Sequence, residues 1–152
     1  MINKYSCINI YENKKKNSKL SSQILYGEKF TILKRYKDWY KIKTNYDKYV
    51  GFIKQKKFES FFHKPTHKVS SLKAKVYSRH YKTSKVRMKL SFTSLIQVKS
   101  SNKGFFNFDN YWIQKSDVVP LNYKEKIFQR IKIFRNVKYK WGGKRFDGVD
   151  CS

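Results

Sequence analysis

The chain has 152 residues, 39% hydrophobic and 18% aromatic, which is enough for one ordinary domain or two small ones. Its mean hydropathy is -0.78 and no apolar run approaches the length of a membrane span, which excludes a transmembrane helix. The opening residues, MINKYSCINIYENKKKN, lack the apolar stretch of a signal peptide, so we expect a cytoplasmic protein. Cys7 and Cys151 lie far apart and favour neither a disulfide framework nor a paired-cysteine metal site.

The net charge is +26, from 36 basic and 10 acidic residues, which on its own suggests a polyanionic partner. Thirty of the basic residues are lysines and six are arginines, whereas recognition of bases and phosphates favours the planar arginine fork. The lysines are also dispersed along the chain with many Asn, Ile, Tyr and Phe, a composition that an A/T-rich genome explains without a ligand. We therefore expect no specific nucleic-acid function, only weak adsorption to polyanions that fades with salt.

Short β-branched and aromatic runs, separated by polar turns, fill the chain up to Leu121. This pattern is typical of small all-β barrels, and no segment in this region has a sustained helical period. Four runs alternate or nearly alternate between apolar and polar residues: Ile8–Tyr11, Lys29–Leu33, Trp39–Lys43 and Tyr49–Ile53.

The same order of elements recurs 60 to 66 residues later. The sequence therefore predicts two copies of one barrel, at 4–60 and 70–121, joined by a linker around Pro65. Each copy should have its own core, with Trp39 and Trp112 substantially buried. The matched positions are Tyr11 with Tyr77, Phe30 and Leu33 with Leu95 and Val98, Gly51-Phe52-Ile53 with Tyr111-Trp112-Ile113, and Phe58 with Val118.

The apolar period changes from two residues to three or four after Leu121. This spacing predicts an amphipathic helix with basic residues opposite its apolar face. Such a helix could lie on a membrane, but an apolar face of this kind favours packing beneath a domain. The apolar positions are Ile127, Phe128, Ile131, Phe134 and Val137.

The two predicted barrels resemble bacterial SH3-like domains. The first copy carries the corresponding pattern as Tyr11, Gly27-Glu28, Trp39-Tyr40 and Gly51-Phe52-Ile53. The second copy lacks the Gly-Glu turn and the central Trp-Tyr, so its assignment depends on its closing strand and its position in the chain.

The end of the chain, YKWGGKRFDGVDCS, combines Tyr139-x-Trp141-Gly142-Gly143 with Asp150-Cys151-Ser152. This combination resembles the N-terminal signature of the NlpC family of papain-like cysteine peptidases, which cleave cell-wall peptides and commonly carry SH3-like domains in front. The resemblance implies a mainly β chain: two SH3-like barrels, then at 122–152 a helix and the start of a papain-like α+β domain cut just after the nucleophile.

The resemblance assigns a role to each residue of the motif. Cys151 would be the nucleophile, and the first turn of a helix would lower its pKa through the dipole and free N–H groups. Tyr139 would hydrogen-bond the developing oxyanion. Gly142 and Gly143 would let the backbone turn tightly and approach closely, while Trp141 would serve as a hydrophobic anchor.

Asp150 and Ser152 resemble the pair that holds the free amino group of a peptide beginning with L-Ala, although Asp150 could equally cap a helix. The family's general-base histidine lies downstream of its cysteine, so His63, His67 and His80 are interpreted as surface residues. No metal or cofactor is expected.

These features predict a fragment of a cysteine peptidase that hydrolyses the γ-D-glutamyl bond to a diamino acid in peptidoglycan-derived peptides, in muropeptide recycling. The fragment itself should be inactive. Residues 138–152 should be less well ordered, because the elements that normally cover them are missing. The competing hypothesis is a non-enzymatic tandem SH3-like module that binds wall peptide, protein or a polyanion.

Overall fold

A computed structural model describes residues 1–58, 60, 64–124 and 131–151, and it is mainly β, as the sequence predicts. The chain divides into two compact units, one of Met1–Phe62 with Lys138–Ser152 and the other of His63–Val137. The domain boundaries that we derived from the sequence, 4–60, 70–121 and 122–152, stay a prediction. Among the described residues, no helix has the length and hydrophobicity to cross a membrane.

The predicted amphipathic helix falls largely on residues 125–130, outside the described part of the chain. The residues that follow form a 3₁₀ helix, Lys132–Phe134, and then a turn. The helical pattern that the sequence shows up to Val137 therefore ends three residues earlier in the structure.

Five strands make up the first sheet: β1 (Cys7–Tyr11), β2 (Leu20–Leu25), β3 (Phe30–Arg35), β4 (Trp39–Thr44) and β5 (Val50–Lys54). They pair antiparallel in the order β2-β1-β5-β4-β3. Alternation along each strand sends one set of apolar side chains to a common face, where they form the core of the first unit. That core contains Ile8, Ile10, Ile24, Phe30, Tyr40, Ile42 and Ile53.

The second unit contains eight strands among its described residues: β6 (His67–Val69), β7 (Lys73–Tyr77), β8 (Val86–Ser91), β9 (Leu95–Ile96), β10 (Ser100–Asn102), β11 (Phe105–Phe108), β12 (Tyr111–Gln114) and β13 (Val118–Pro120). Five of them form the second sheet, in the order β10-β11-β12-β7-β8, and three form a smaller sheet, β13-β6-β9. A 3₁₀ helix, Lys115–Asp117, joins β12 to β13. The buried residues here include Val69, Ala74, Val76, Leu90, Ile96, Phe108 and Ile113.

The two large sheets have the same topology, which agrees with the internal repeat expected from the sequence. The order β2-β1-β5-β4-β3 in the first sheet corresponds strand by strand to β8-β7-β12-β11-β10 in the second sheet. The register agrees as well: Tyr11 faces Phe52 in the first sheet, and Tyr77 faces Trp112 in the second. The predicted matches of Tyr11 with Tyr77 and of the two closing strands are therefore correct.

One predicted match is wrong by a single residue. Phe30 was paired with Leu95, but the core position equivalent to Phe30 is held by Ile96, which is fully buried while Leu95 is only half-buried. In a strand, a shift of one residue exchanges the two faces, so only Ile96 can take the inward position.

The Gly-Glu turn that the second copy lacks in sequence is present in its backbone. In the first unit, the Gly27 amide donates to the Asn3 carbonyl at 2.8 Å. In the second, the Thr93 amide donates to the Val69 carbonyl at 2.9 Å. Both turn residues have a left-handed φ, +81° for Gly27 and +66° for Thr93. The second copy thus keeps the turn and carries a β-branched residue where glycine fits best.

The two tryptophans that we expected to be buried are half-buried instead. On β4, the alternation sends Tyr40 and Ile42 inward, so Trp39 lies on the outer face, where its ring meets Tyr11 edge-on at 5.6 Å. Trp112 packs against the His80 ring at 5.1 Å. Aliphatic side chains, phenylalanine and tyrosine fill the two cores, because they occupy the inward positions of the strands.

Exchanging the two turn residues should change the stability of the two units in opposite directions. A left-handed φ lowers the stability of the fold by about 1–2 kcal/mol when the residue is not glycine. Glycine lowers it by about 0.5–1 kcal/mol, because a glycine in the unfolded chain has more conformational freedom to lose. Thr93→Gly should therefore stabilise the chain by up to about 1.5 kcal/mol, and Gly27→Thr should destabilise it by a similar amount. Denaturant unfolding measures both changes.

The control is Ser101→Gly, an exposed strand position, which should be slightly destabilising. If Thr93→Gly lowers stability as much as this control, the backbone strain at the second turn is not significant.

Candidate active site

Residues 138–151, the motif hairpin, fold against the first sheet and belong to the first unit. The two strands of the hairpin, β14 (Lys144–Arg145) and β15 (Gly148–Val149), pair antiparallel. The Arg145 Nε lies 3.1 Å from the Asp147 Oδ1 within its turn. The structure thus describes a paired hairpin here, and the lower order expected for residues 138–152 stays a prediction.

The hairpin brings the two halves of the sequence motif side by side. Tyr139 forms a parallel bridge with Val149, and the Lys140 amide donates to the Val149 carbonyl at 2.9 Å. The Asp150 amide donates to the Gly143 carbonyl at 3.0 Å. The tyrosine and the Gly-Gly segment are thus hydrogen-bonded to the residues directly before Cys151.

The double glycine is required by close backbone contacts, as predicted. Gly142 has a φ of +66°, and a Cβ atom there would lie 2.8 Å from the carbonyl carbon of Ser21 and 3.0 Å from the amide nitrogen of Ser22. A Cβ at Gly143 would lie 2.5 Å from the Gly148 carbonyl oxygen. Gly142 therefore lets the hairpin touch β2, and Gly143 lets its two strands approach each other.

A buried glutamine of β2 binds the hairpin backbone. The Lys144 amide donates to Gln23 Oε1 at 2.8 Å, and Gln23 Nε2 donates to Asn9 Oδ1 at 2.8 Å. Gln23 is only 1% exposed. We did not single out this residue from the sequence, because an isolated glutamine carries no motif and its partner lies 121 residues away.

The Lys144 side chain provides a second contact through an ion pair. Its Nζ lies 2.7 Å from Asp47 Oδ2, and the other carboxylate oxygen accepts a hydrogen bond from the Thr44 hydroxyl. Partial burial alone would raise the pKa of Asp47. The hydrogen bonds from Lys144 and Thr44 and the lysine charge outweigh burial and hold this pKa below its ordinary value of 3.8.

The residues that the sequence predicts for catalysis and substrate binding differ in solvent exposure. Cys151 and Tyr139 are exposed and Asp150 is half-buried, whereas Ser152 lies outside the described residues. The predicted helix beginning at Cys151 therefore stays a prediction. Trp141 is 67% exposed, so the anchoring role expected of its indole is absent within this chain. The hairpin is attached by Gly142, a buried glutamine and an ion pair instead.

The other thiol, Cys7, is in a different environment. It lies half-buried on β1. Burial raises its pKa to about 12, and the nearby Arg145 guanidinium opposes this only in part. Cys7 is therefore a neutral thiol at physiological pH, which makes it a poor nucleophile.

The described histidines pack against aromatic rings in the second unit. The ring of His67 lies 4.9 Å from that of Phe106, and burial lowers the His67 pKa. His80 packs on Trp112. His67 and His80 are therefore half-buried, whereas the sequence suggested surface residues. His63 lies outside the described residues. Within residues 1–58, 60, 64–124 and 131–151, no three His, Cys, Asp or Glu side chains are grouped to hold a metal ion.

Comparisons with known proteins agree with the SH3-like interpretation of the first unit. Residues 10–58 match the family profile of the SH3 domain of bacterial dipeptidyl-peptidases. No curated protein sequence matches the chain.

One solved structure extends the likeness to nearly the whole chain. A crystal structure of an NlpC/P60 family protein from Bacillus cereus superposes with a TM-score of 0.81 at 16% identity, covering 99% of this chain and 68% of that protein. NlpC2 from Trichomonas vaginalis matches with a TM-score of 0.31 at 15% identity, covering 81% of this chain and 46% of that protein. The first likeness shows that the chain shares the fold of the corresponding part of the Bacillus cereus protein.

Acid should loosen the motif hairpin, because protonation of Asp47 removes its ion pair with Lys144. A carboxyl with a lowered folded-state pKa stabilises the fold above its unfolded pKa, here near 3.8, and this contribution is lost as pH falls through the folded value. We expect the Lys144 and Val149 amide resonances to be constant at neutral pH and to shift below pH 3.8. An NMR pH titration measures this.

Asp47→Asn should abolish that transition, whereas Asp38→Asn, at an exposed aspartate of the same unit, should leave it unchanged. An identical titration in Asp47→Asn and the unsubstituted chain would exclude the ion pair as a hairpin contact.

Proposed function

We propose that the chain is the N-terminal part of an NlpC-type cysteine peptidase that cleaves peptidoglycan-derived peptides, with Cys151 as its nucleophile. One observation carries the proposal: the bridge between Tyr139 and Val149, which aligns both halves of the motif beside Cys151. The likeness in fold to the NlpC/P60 protein and the SH3 match at 10–58 support it.

The proposed reaction is acyl transfer through a thioester. The Cys151 thiolate adds to the γ-carbonyl carbon of D-glutamate, the C–N bond to the diamino acid breaks, and the nitrogen leaves as an amine after gaining a proton. Water then hydrolyses the thioester, which restores the thiol and releases the γ-carboxylate. The exposed Tyr139 hydroxyl would donate to the oxyanion formed in each step. A histidine supplied from outside this sequence, as the resemblance implies, would move the protons.

Asp150 would select substrates with a free amino terminus. The half-buried position of this residue, next to the nucleophile, gives its carboxylate a partly desolvated surrounding in which an ammonium group is a favourable partner. Ser152 would complete the contact. This pairing suits peptides that begin with L-Ala followed by γ-D-Glu, and it is the basis for proposing a role in muropeptide recycling.

The hairpin contacts favour this function over a non-enzymatic binding module. In such a module the tail would be incidental, and neither two glycines in close backbone contact nor a buried glutamine against the tail would be needed. In a peptidase, both features serve to hold the nucleophile in place.

Replacing Cys151 should abolish peptide cleavage. With the remainder of the peptidase domain joined after Ser152, the enzyme should cut L-Ala-γ-D-Glu-diamino acid at the γ-D-Glu bond, and Cys151→Ala should reduce kcat by roughly 10⁴-fold or more. The 152-residue chain alone should be inactive, because the general-base histidine is proposed to lie outside this sequence. Chromatographic detection of the released diamino acid measures turnover.

The matched control is Cys7→Ala, which removes the neutral, half-buried thiol and should keep activity. Full cleavage by the Cys151→Ala enzyme, or by the 152-residue chain, would disprove the mechanism.

Acetylating the amino group of the substrate should impair cleavage, because Asp150 would then face an uncharged amide. Acetylation removes the charge-assisted contact between the ammonium group and the carboxylate, so we expect kcat/KM to fall by about ten- to a hundredfold. Asp150→Asn should cut the free and acetylated peptides at similar rates. If the unsubstituted enzyme is indifferent to acetylation, Asp150 does not bind the amino terminus, and the assignment of Cys151 is unaffected.

A further inference from the structure

We propose that Gln23 of the first sheet is a positioning residue for Cys151, so that β2 is a structural part of the active site. This inference rests on the proposed function, because it assumes that Cys151 is the nucleophile. Its physical basis is a buried side chain that binds the backbone of the motif hairpin.

The hydrogen bonds of Gln23 fix the orientation of its amide. Its oxygen accepts from the Lys144 amide, and its nitrogen donates to Asn9 Oδ1. The Asn9 amide nitrogen in turn donates to the Tyr11 hydroxyl at 3.3 Å. Turning the Gln23 amide over would set its NH₂ group against the Lys144 N–H and its oxygen against the Asn9 oxygen. The chain of bonds therefore allows one arrangement.

Strand pairing carries this restraint to the nucleophile. Lys144 lies directly opposite Val149 in the β14–β15 ladder, and Val149 is two residues before Cys151. The Val149 carbonyl also accepts from the Lys140 amide. The residue that Gln23 holds is thus the cross-strand neighbour of the segment that ends in Cys151.

Two further contacts converge on the same place. The Lys144 side chain pairs with Asp47, so this residue is held through both its backbone and its ammonium group. Gly142 packs on Ser21 and Ser22, the two residues of β2 that precede Gln23. Because three contacts act within three residues of the hairpin, its position on the first sheet is well determined.

Amide hydrogen exchange in the 152-residue chain tests the anchoring without reference to catalysis. Gln23→Met keeps the length of the side chain but leaves the Lys144 N–H without an acceptor. The Lys140 and Asp150 amides, which donate to carbonyls of the hairpin, should then exchange about tenfold faster or more. Amides of β4 and β5 should keep their protection, which separates local loosening from unfolding of the unit.

Two variants control for side effects. Gln55→Met makes the same change at an exposed residue of the first unit and should alter nothing. Gln23→Glu keeps an acceptor for the Lys144 amide, and the Asn9 amide can turn over to donate to the other carboxyl oxygen. It should restore at least part of the protection. Unchanged exchange at Lys140 and Asp150 in Gln23→Met overturns the inference.

Kinetics of the complete peptidase test the effect on the reaction. A misplaced nucleophile lowers kcat by about tenfold or more with little change in KM. We expect that pattern for Gln23→Met and a partly restored kcat for Gln23→Glu. Gln55→Met should leave kcat unchanged. An unaltered kcat in a Gln23→Met enzyme with a loosened hairpin would overturn the positioning role and leave Cys151 as nucleophile. If the unsubstituted enzyme does not turn over, the proposed function fails, and the exchange data still decide whether Gln23 anchors the hairpin.

Discussion

A hairpin as short as the one that precedes Cys151 is not stable alone in water, because it buries too little apolar surface. In the structure, the first sheet supplies the contacts that stabilise the hairpin. Gln23 offers a buried acceptor to the Lys144 amide, and Gly142 lets the backbone contact β2. Within the first unit, the sheet therefore gives the motif its conformation before any substrate is involved.

The same constraint explains the strand that the sequence pattern missed. β2, with the sequence LSSQIL, was not among the predicted runs, because polar residues interrupt its apolar alternation. Ser22 and Gln23 are nevertheless buried, at 6% and 1% exposure. Periodicity assigns polar residues to solvent, and it does so wrongly when a distant segment covers them. No local signal could identify a partner 121 residues further along the chain.

The spacing of the repeated positions was predicted better than the burial of the two tryptophans. The Tyr11 and Tyr77 match depends on a repeated spacing, which the chain preserves because both sheets have the same pairing. Burial depends on which face of a strand points inward, and a tryptophan at an outward position stays half-exposed despite its size. Trp39 is such a case. The retained turn at Thr93 shows that the fold also tolerates a residue that sequence rules disfavour there, at a cost in strain.

For the candidate site, the motif proposes by resemblance which residues carry chemistry, and it could not predict what holds them. A Tyr-x-Trp-Gly-Gly segment before Asp-Cys-Ser specifies a nucleophile and its neighbours by resemblance. The expectation that Trp141 anchors the loop took no account of supports from the first sheet. In the structure the supports are Gln23 and Asp47. Because both lie in the first unit, polar residues that face the hairpin from that sheet belong, in physical terms, to the environment of Cys151.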